Sequence, residues 1–455
     1  MTAVRDIAVV GAGAAGTLTA MRLLRRAAGE GDRGCRVWLI GPGRTGRGLA
    51  FATDAPHHLL NVPAAGMSAH RDDPGHFVRW LGSRAGADDF VPRGLYGKYL
   101  ADSLADTLDA VGGPGGGPRL LRVRDRVVGL GHRPDRARAP LSLRLRSGQS
   151  LAVDAAVLAL GNFPADRSWA PPSLLRSPLF RADPWAPGAL RALPEDQDLL
   201  LVGTGLTMVD AALTLQRPGR VVHAVSRHGL LPRPHAARPL LPAPAPGLDA
   251  RSGLDPLRRA VLGHLAAGRR SHGDWRVGFD SLRPVTSALW QQLAPAEQAR
   301  FLREDLRLWE VHRHRIPPVS AEALADAVDR GRVTVGSGTV TDAEPVADAL
   351  RVRLADGRSL RVGAVVNCTG AQTDLTRIED PLVTGLLGTG LGSPAPVGGG
   401  FDTTPDGRLR PASQHDPAPL WTLGSLRRGN LLETTAVPEI RCQADDLALT
   451  LRQHR

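Results

Sequence analysis

The run Gly11-Ala12-Gly13-Ala14-Ala15-Gly16 follows an apolar stretch at 6–10 and precedes a segment, 14–27, whose Ala, Leu and Met recur at helical spacing. Strand, glycine turn and helix in that order constrain this chain more than any other feature. In such a turn the first glycine permits the tight bend and the second lets backbone approach a pyrophosphate. The third allows the helix to pack closely on the strand. Residues 36–40 read as a second short strand, so the opening segment predicts the first βαβ unit of a doubly wound sheet. One departure stands out. The acid that would hold an adenosine ribose, roughly 20 residues beyond the turn, is absent, because the second strand ends Ile40-Gly41-Pro42. Ribose contact then falls to backbone or to another loop.

A second turn, Gly203-Thr204-Gly205-Leu206-Thr207-Met208, follows a strand at 198–202 and has Met208 in place of the third glycine. The next strand, 221–225, ends in Ser226-Arg227, where an NAD site would place an acid. A guanidinium there suits a 2′-phosphate through parallel charge-assisted bonds, which predicts NADPH. The plainer alternative is a surface arginine in an arginine-rich chain. Asp210 reads as a helix-start or packing residue rather than a catalyst.

Residues 112–118 form a Gly/Pro loop, and the alternating segments 119–130 and 141–153 predict an antiparallel excursion. It closes in the apolar strand 155–160, stopped by Gly161-Asn162. The same pattern recurs in a hairpin-like passage, 332–362, and a strand at 364–368 ending near Gly370. Prolines make 229–250 a long ordered loop. Helices are predicted over 256–267 and 295–311, with Trp275, Trp290 and Trp309 as apolar anchors. The pattern predicts an α/β fold of two Rossmann-like dinucleotide-binding domains, one inserted into the other, with antiparallel β excursions and a helical insertion. The boundaries read as 1–190, 191–355 with the helical insertion at about 250–325, and 356–455 returning to the first domain.

Composition narrows the partners. The formal charge is +12, but Lys98 is the only lysine, the arginines are spread along the chain, and aromatics are 4%. A base-stacking nucleic-acid surface is not predicted. The longest apolar runs are about six to eight residues, against the roughly 18–20 needed to cross a bilayer, so no membrane span is predicted. Cys35, Cys368 and Cys442 stand far apart, which fits a reducing cytoplasm and argues against a dithiol reductase. The cluster His312-Arg313-His314-Arg315 lacks the carboxylate or thiolate partners of a zinc site, so no metal is predicted. Arg313 and Arg315 read either as a site for an anionic substrate or cofactor phosphate, or as a solvated helix end.

The most distinctive passage is Gly46-Arg47-Gly48-Leu49-Ala50-Phe51, then His57-His58-Leu59-Leu60-Asn61-Val62-Pro63-Ala64 and Met67-Ser68-Ala69. It resembles a family of bacterial FAD/NAD(P)-binding proteins, two-domain flavoproteins related to flavin monooxygenases and amine N-hydroxylases. The resemblance extends through 73–81, 96–100, the turn at Gly203, 309–315, 423–429 and 433–441. It implies FAD in the first domain, with Gly11, Gly13 and Gly16 facing the pyrophosphate and Ala14 and Ala15 opening the helix. Leu60, Asn61 and Met67 would lie near the flavin, with Arg47, Gly48, His58 and Gly161 in the same site and Gly424 approaching from the C-terminal return. Gly203, Gly205, Leu206, Thr207, Ser226, Arg227 and Gly370 would serve the nicotinamide cofactor. For His57 and His58 the alternative is a loop pair capping backbone groups, and for Asn61 a turn-forming asparagine.

The resemblance therefore implies an NADPH-using flavin monooxygenase that passes electrons to molecular oxygen and oxidises an amine nitrogen of a small molecule in a biosynthetic pathway. An acidic amino acid such as aspartate could meet the arginine cluster. The alternatives are an oxidase or dehydrogenase on the same scaffold and a non-catalytic flavin-binding protein, the latter supported by the missing ribose acid. Nothing in the sequence indicates an oligomeric state.

Overall fold

The structure, a computed structural model, describes residues 6–112, 116–412 and 416–453. Residues 113–115 of the Gly/Pro loop lie outside the described residues. The strand Asp6–Val10 is buried from Ile7 onward, as a central parallel strand requires. Its sheet runs Leu420–Thr422, Ala155–Leu158, Asp6–Val10, Arg36–Ile40, Arg119–Val123, with every neighbour parallel. The edge strand Arg119–Val123 corrects the sequence reading, which placed all of 119–130 in the antiparallel excursion. Only Val127–His132, Leu141–Leu145 and Ser150–Val153 form that antiparallel sheet. Alternation with one exposed face suits an edge strand of either kind, so periodicity alone did not separate them.

A second parallel sheet runs Val333–Ser337, Val222–Ser226, Leu199–Val202, Ala364–Asn367, Phe180–Arg181. Two of these strands fall outside the boundaries drawn from sequence: Phe180–Arg181 precedes 191, and Ala364–Asn367 follows 355. Both pair within the second sheet because Ala364–Asn367 is an uninterrupted buried run that needs a neighbour on each side. The antiparallel strands Val340–Val346, Ala349–Leu354 and Ser359–Val362 cover this sheet, their Ala343, Leu350 and Val352 packing on Leu200 and Val365. The chain then returns to the first unit, where the helix Val437–Gln453 packs on Ala14–Gly29 through the core that holds Leu447 and Leu451.

The helical insertion is richer than predicted. Leu254–His272, Trp275–Asp280, Thr286–Gln292, Pro295–Glu304 and Leu306–Arg313 are separate helices. The expected helix over 295–311 breaks at Asp305, whose carboxylate is held by Arg258 Nε at 2.9 Å. The short helix at 275 starts on an N-cap, Asp274, which accepts from the Arg276 N–H at 2.8 Å. Among the described residues no helix is long and apolar enough to cross a membrane.

The two sheets repeat one close approach. A Cβ on Gly11 would stand 2.1 Å from the Ala159 carbonyl oxygen, and one on Gly203 would stand 2.3 Å from that of Cys368. Both glycines sit at positive φ, 115° and 108°. A Cβ on Gly16 would lie 1.7 Å from the Gly11 carbonyl oxygen, whereas Met208, its counterpart in the second turn, is fully buried among apolar neighbours. The second helix therefore stands clear of its turn where the first is pressed onto it. We predict that Gly16→Ala lowers stability by about 2 kcal/mol or more through overpacking. Gly205→Ala, with no atom within 4 Å of the added carbon, should cost at most about 1 kcal/mol, and urea midpoints of the two variants check the contrast.

Candidate active site

The glycines predicted from sequence converge at the carboxyl ends of the parallel strands, where open α/β sheets place their ligands. In the first sheet the ends of Asp6–Val10, Ala155–Leu158 and Leu420–Thr422 lead to Gly11, Gly161 and Gly424. Gly161 and Gly424 both have positive φ, and the Gly161 carbonyl accepts from the Ser425 hydroxyl at 2.6 Å. The Gly424 N–H donates to Gln443 Oε1 at 3.1 Å. Gly48 lies against the turn, since a Cβ on Gly13 would reach its Cα at 3.2 Å. Two bonds clamp this loop: Gly46 N–H to the Ala12 carbonyl at 3.0 Å and to Thr17 Oγ1 at 3.1 Å.

The helix Ala14–Gly29 begins without a side-chain cap and without an acid in its first turn. Its first backbone N–H groups, at Ala14, Ala15 and Gly16, are therefore available to an anion, and the helix dipole favours negative charge there. A cradle that a Cβ would fill, joined to an uncapped helix start, fits a dinucleotide pyrophosphate. The missing ribose acid has a steric reason: a Cβ at Gly41 would stand 2.8 Å from both the Cβ and the N of Ala12. The second turn repeats the arrangement with Gly205 as an uncapped helix start ahead of Leu206 and Thr207.

Residues 8–163 match the family model described as FAD-NAD(P)-binding. This segment is an FAD-NAD(P)-binding domain. No curated protein matches the chain by sequence. Among solved structures, it is similar to the ornithine N-hydroxylase KtzI from Kutzneria sp. 744, with 15% identity, a TM-score of 0.60 and 99% of each chain covered. It is also similar to L-lysine 6-monooxygenase from Pseudomonas syringae, with 18% identity, a TM-score of 0.62 and coverage of 98% of this chain and 99% of that one. A third is DfoA, the cadaverine monooxygenase of desferrioxamine biosynthesis from Erwinia amylovora, with 13% identity, a TM-score of 0.62 and coverage of 100% and 95%. At these identities the likeness is one of fold, two dinucleotide-binding units in a single chain.

In the FAD-NAD(P)-binding domain, Leu60 and Met67 are buried in the core rather than exposed along a groove. Arg47 packs on Gly97 and pairs with Asp54 at 3.5 Å. His58 takes part in a contact between the two units that sequence reading missed. The Thr214 hydroxyl donates to the Asp210 carbonyl at 2.7 Å, so Nε2 of His57 and of His58, at 2.8 and 2.9 Å, both donate to Thr214. His58 Nδ1 then accepts from the Thr53 hydroxyl at 2.7 Å. Burial, with Arg93 and His57 nearby, pushes the His58 imidazole down to about 4, so it is neutral at pH 7. The histidine pair thus meets the Thr214 hydroxyl, and His58 also interacts with the Asp210 backbone beside it.

Beside it Arg93 donates to Asp210 at 2.7 Å and lies over the Trp185 ring, its Cζ 5.1 Å from the centroid. Asp210 is the packing residue predicted, but it packs across the unit boundary. Asp210 is the only charge on the helix Leu206–Leu215, which gives no sequence signal for such a partner.

In the second turn the Ser226 hydroxyl bonds to Thr204 Oγ1 at 2.8 Å and accepts from the Gly229 N–H at 3.0 Å. Arg227 is exposed beyond it. The structure adds Arg307, from the helical insertion, which donates to the Leu230 carbonyl at 2.7 Å and to Thr204 Oγ1 at 3.3 Å. Burial and the charge of Arg227 among its neighbours lower its pKa.

Between the units lies a cleft of about 760 Å³ that brings together Asn61 and the predicted arginines Arg313 and Arg315. The Asn61 carbonyl accepts from His235 Nε2 at 3.0 Å, which ties the proline-rich loop to the FAD-NAD(P)-binding domain. Arg313 and Arg315 are not a solvated helix end. Arg315 is buried on Asp280, and Arg313 meets Glu433 at 3.1 Å and Glu439 at 3.6 Å. Their charges are thus met from within the protein, while Arg238 in the same cleft has no partner among the described residues.

The Asp210 carboxyl is raised to about 6 by burial, with Arg93 opposing the shift. A raised carboxyl keeps its proton in the folded state when the unfolded chain has released it, so this group's contribution to stability falls as pH rises from 3.8 to about 6. Arg93→Ala should raise the Asp210 pKa above its wild-type value, read from the carboxyl carbon shift by NMR. An unchanged or lowered value would show that the ion pair does not act.

Proposed function

We propose that this chain is an FAD-dependent, NADPH-using monooxygenase that oxidises an amine nitrogen of a small molecule, an acidic amino acid of the aspartate kind. The carrying observation is the cleft at Asn61, walled by residues between 61 and 92 of the first unit and between 235 and 319 of the second. Six arginines and three aspartates line it, Arg84, Arg238, Arg276, Arg283, Arg313 and Arg315 against Asp88, Asp89 and Asp280. Carboxylates pair four of these arginines, Arg276 with Asp274, Arg283 with Glu439, Arg313 with Glu433 and Arg315 with Asp280, so the free guanidinium of Arg238 is what favours an anionic substrate over a diamine.

In this reading Gly11, Gly13 and Gly16 admit the FAD pyrophosphate, and the backbone N–H groups of Ala14 and Ala15 receive its charge. The second turn, through Gly203, Gly205, Leu206 and Thr207, holds NADPH, and Arg227 grips the 2′-phosphate. Bound FAD supplies the hydride acceptance and the reaction with molecular oxygen. The rest falls to the chain. The proline-rich loop, held to Asn61 by His235, narrows the cleft against water. Arg238, without an internal partner, meets the substrate carboxylate, while Arg313 and Arg315 position the wall behind it. No acid-base dyad is required, because orientation and exclusion of water carry most of such chemistry. The fold likeness to ornithine, lysine and cadaverine hydroxylating enzymes supports the reaction class, and KtzI was solved with reduced FAD and NADP+.

Anaerobic mixing with reduced nicotinamides tests the reading. NADPH should bleach the flavin faster than NADH, and Arg227→Ala should raise the KM for NADPH by ~10-fold to ~100-fold, as the loss of a charge-assisted bond implies, with little change for NADH. Equal effects on both cofactors would sink the 2′-phosphate assignment. In air, aspartate should stimulate oxygen uptake more than ornithine, lysine or cadaverine and yield a hydroxylamine product, and Arg238→Ala should raise the aspartate KM by ~10-fold or more. A stronger response to cadaverine would overturn the acidic-substrate reading.

A further inference from the structure

The helical insertion walls a second cavity, of about 830 Å³ and partly open to water, beside the 306–313 helix. Trp309 and His312 face this cavity, whereas Arg313, His314 and Arg315 line the cleft, and Arg276 borders both. Its walls are apolar, built from Leu257, Leu265, Leu289, Leu293, Trp290 and Phe301 among others.

The hydrogen-bonding groups around it are mostly satisfied elsewhere. The Trp290 indole N–H donates to the Gly429 carbonyl at 2.8 Å and that of Trp309 to Glu433 at 2.9 Å. The Thr286 hydroxyl donates to the Leu282 carbonyl at 2.8 Å, and His312 Nδ1 bonds the Leu308 carbonyl at 2.7 Å. Arg258 is held by Asp305 and Glu304, and Arg276 by Asp274 and the Pro234 carbonyl. What remains toward the cavity is ring faces and aliphatic carbon. The volume falls within the ~300–1,000 Å³ of small-molecule sites, which are mostly apolar with a few oriented polar groups.

Two lining residues break the apolar pattern. Arg233 and Arg269 are exposed, and neither has an acidic partner or a side-chain hydrogen bond among the described residues. Leu262 and Leu308, also lining the cavity, remain 65% and 55% exposed. Apolar surface opening to water beside two unpaired cations is complementary to a molecule with an apolar body and an anionic end. We propose that the helical insertion carries a second binding site, for an amphiphile of the long-chain carboxylate class, with its chain among the leucines and tryptophans and its head at Arg233 and Arg269. The site is separate from the amine-oxidising cleft and does not depend on that reading.

Dodecanoate, dodecanol and dodecyltrimethylammonium, all below their micellar concentrations, make the test, with displacement of a fluorescent anilinonaphthalene sulfonate from the full chain as the readout. Dodecanoate should bind at one site per chain, at least tenfold more tightly than either the alcohol or the cation. The double variant Arg233→Glu/Arg269→Glu, on the surface and expected to fold, should weaken dodecanoate at least tenfold without altering the urea midpoint. Leu262→Asp should weaken it as well. Absence of saturable binding, or equal binding of the three head groups with no response to the charge reversal, overturns the proposal. So does a concentration-dependent dimer that Leu262→Asp and Leu308→Asp dissociate in sedimentation while dodecanoate fails to bind, because the surface would then belong to a second copy.

Discussion

The architecture depends on how closely backbone meets backbone at the crossing of a strand end and a turn. Gly11 sits on the Ala159 carbonyl and Gly16 on that of Gly11, at distances no side-chain carbon could occupy. This contact seats the helix Ala14–Gly29 with its N-terminus at the carboxyl edge of the sheet, where its free N–H groups and dipole face outward. The anion site is thus a by-product of packing. The second unit reaches the same end through Gly203 on Cys368, and its buried Met208 shows that the third glycine is needed only where helix and turn are pressed together.

Two such sites would be independent without something to fix their relation. That role falls to polar contacts that cross between units. His57 and His58 meet Thr214, Arg93 meets Asp210, and His235 meets the Asn61 carbonyl. The helical insertion adds Arg307 at the second turn and Arg313 between Glu433 and Glu439. A buried acid such as Asp210 gains little net stability from its partner, since desolvation offsets much of the attraction. Its effect is to select one orientation of the second unit's first helix against Arg93 of the first unit.

The glycine turns were legible in the sequence because their requirement is local: positive φ and absent side chains can be read from a few adjacent letters. The parallel strands around them were legible as apolar runs. Arg119–Val123 was misassigned because an exposed edge strand alternates like an antiparallel one, and the boundary at 355 missed Ala364–Asn367 because apolarity does not name the sheet a strand joins. Arg307, Thr214 and the Arg93–Asp210 pair left no signal, since each acts on a partner 77 to 157 residues away. Arg313 and Arg315 line the cleft, but their internal carboxylate partners, Glu433 and Asp280, are visible only in three dimensions, and it is for this reason that Arg238 takes the substrate-facing role in the proposal.

The central claim is that the two turns hold two different dinucleotides, the first of them FAD. The direct measurement is the flavin released by heat from the purified chain, quantified per chain and identified by chromatography, for the wild type and for Gly13→Val and Gly205→Val. The account predicts one FAD per chain in the wild type, loss of FAD in Gly13→Val, and full FAD with impaired NADPH binding in Gly205→Val. A wild-type chain that holds no flavin even after incubation with FAD, or one that loses it through the second turn and keeps it through the first, would contradict the account.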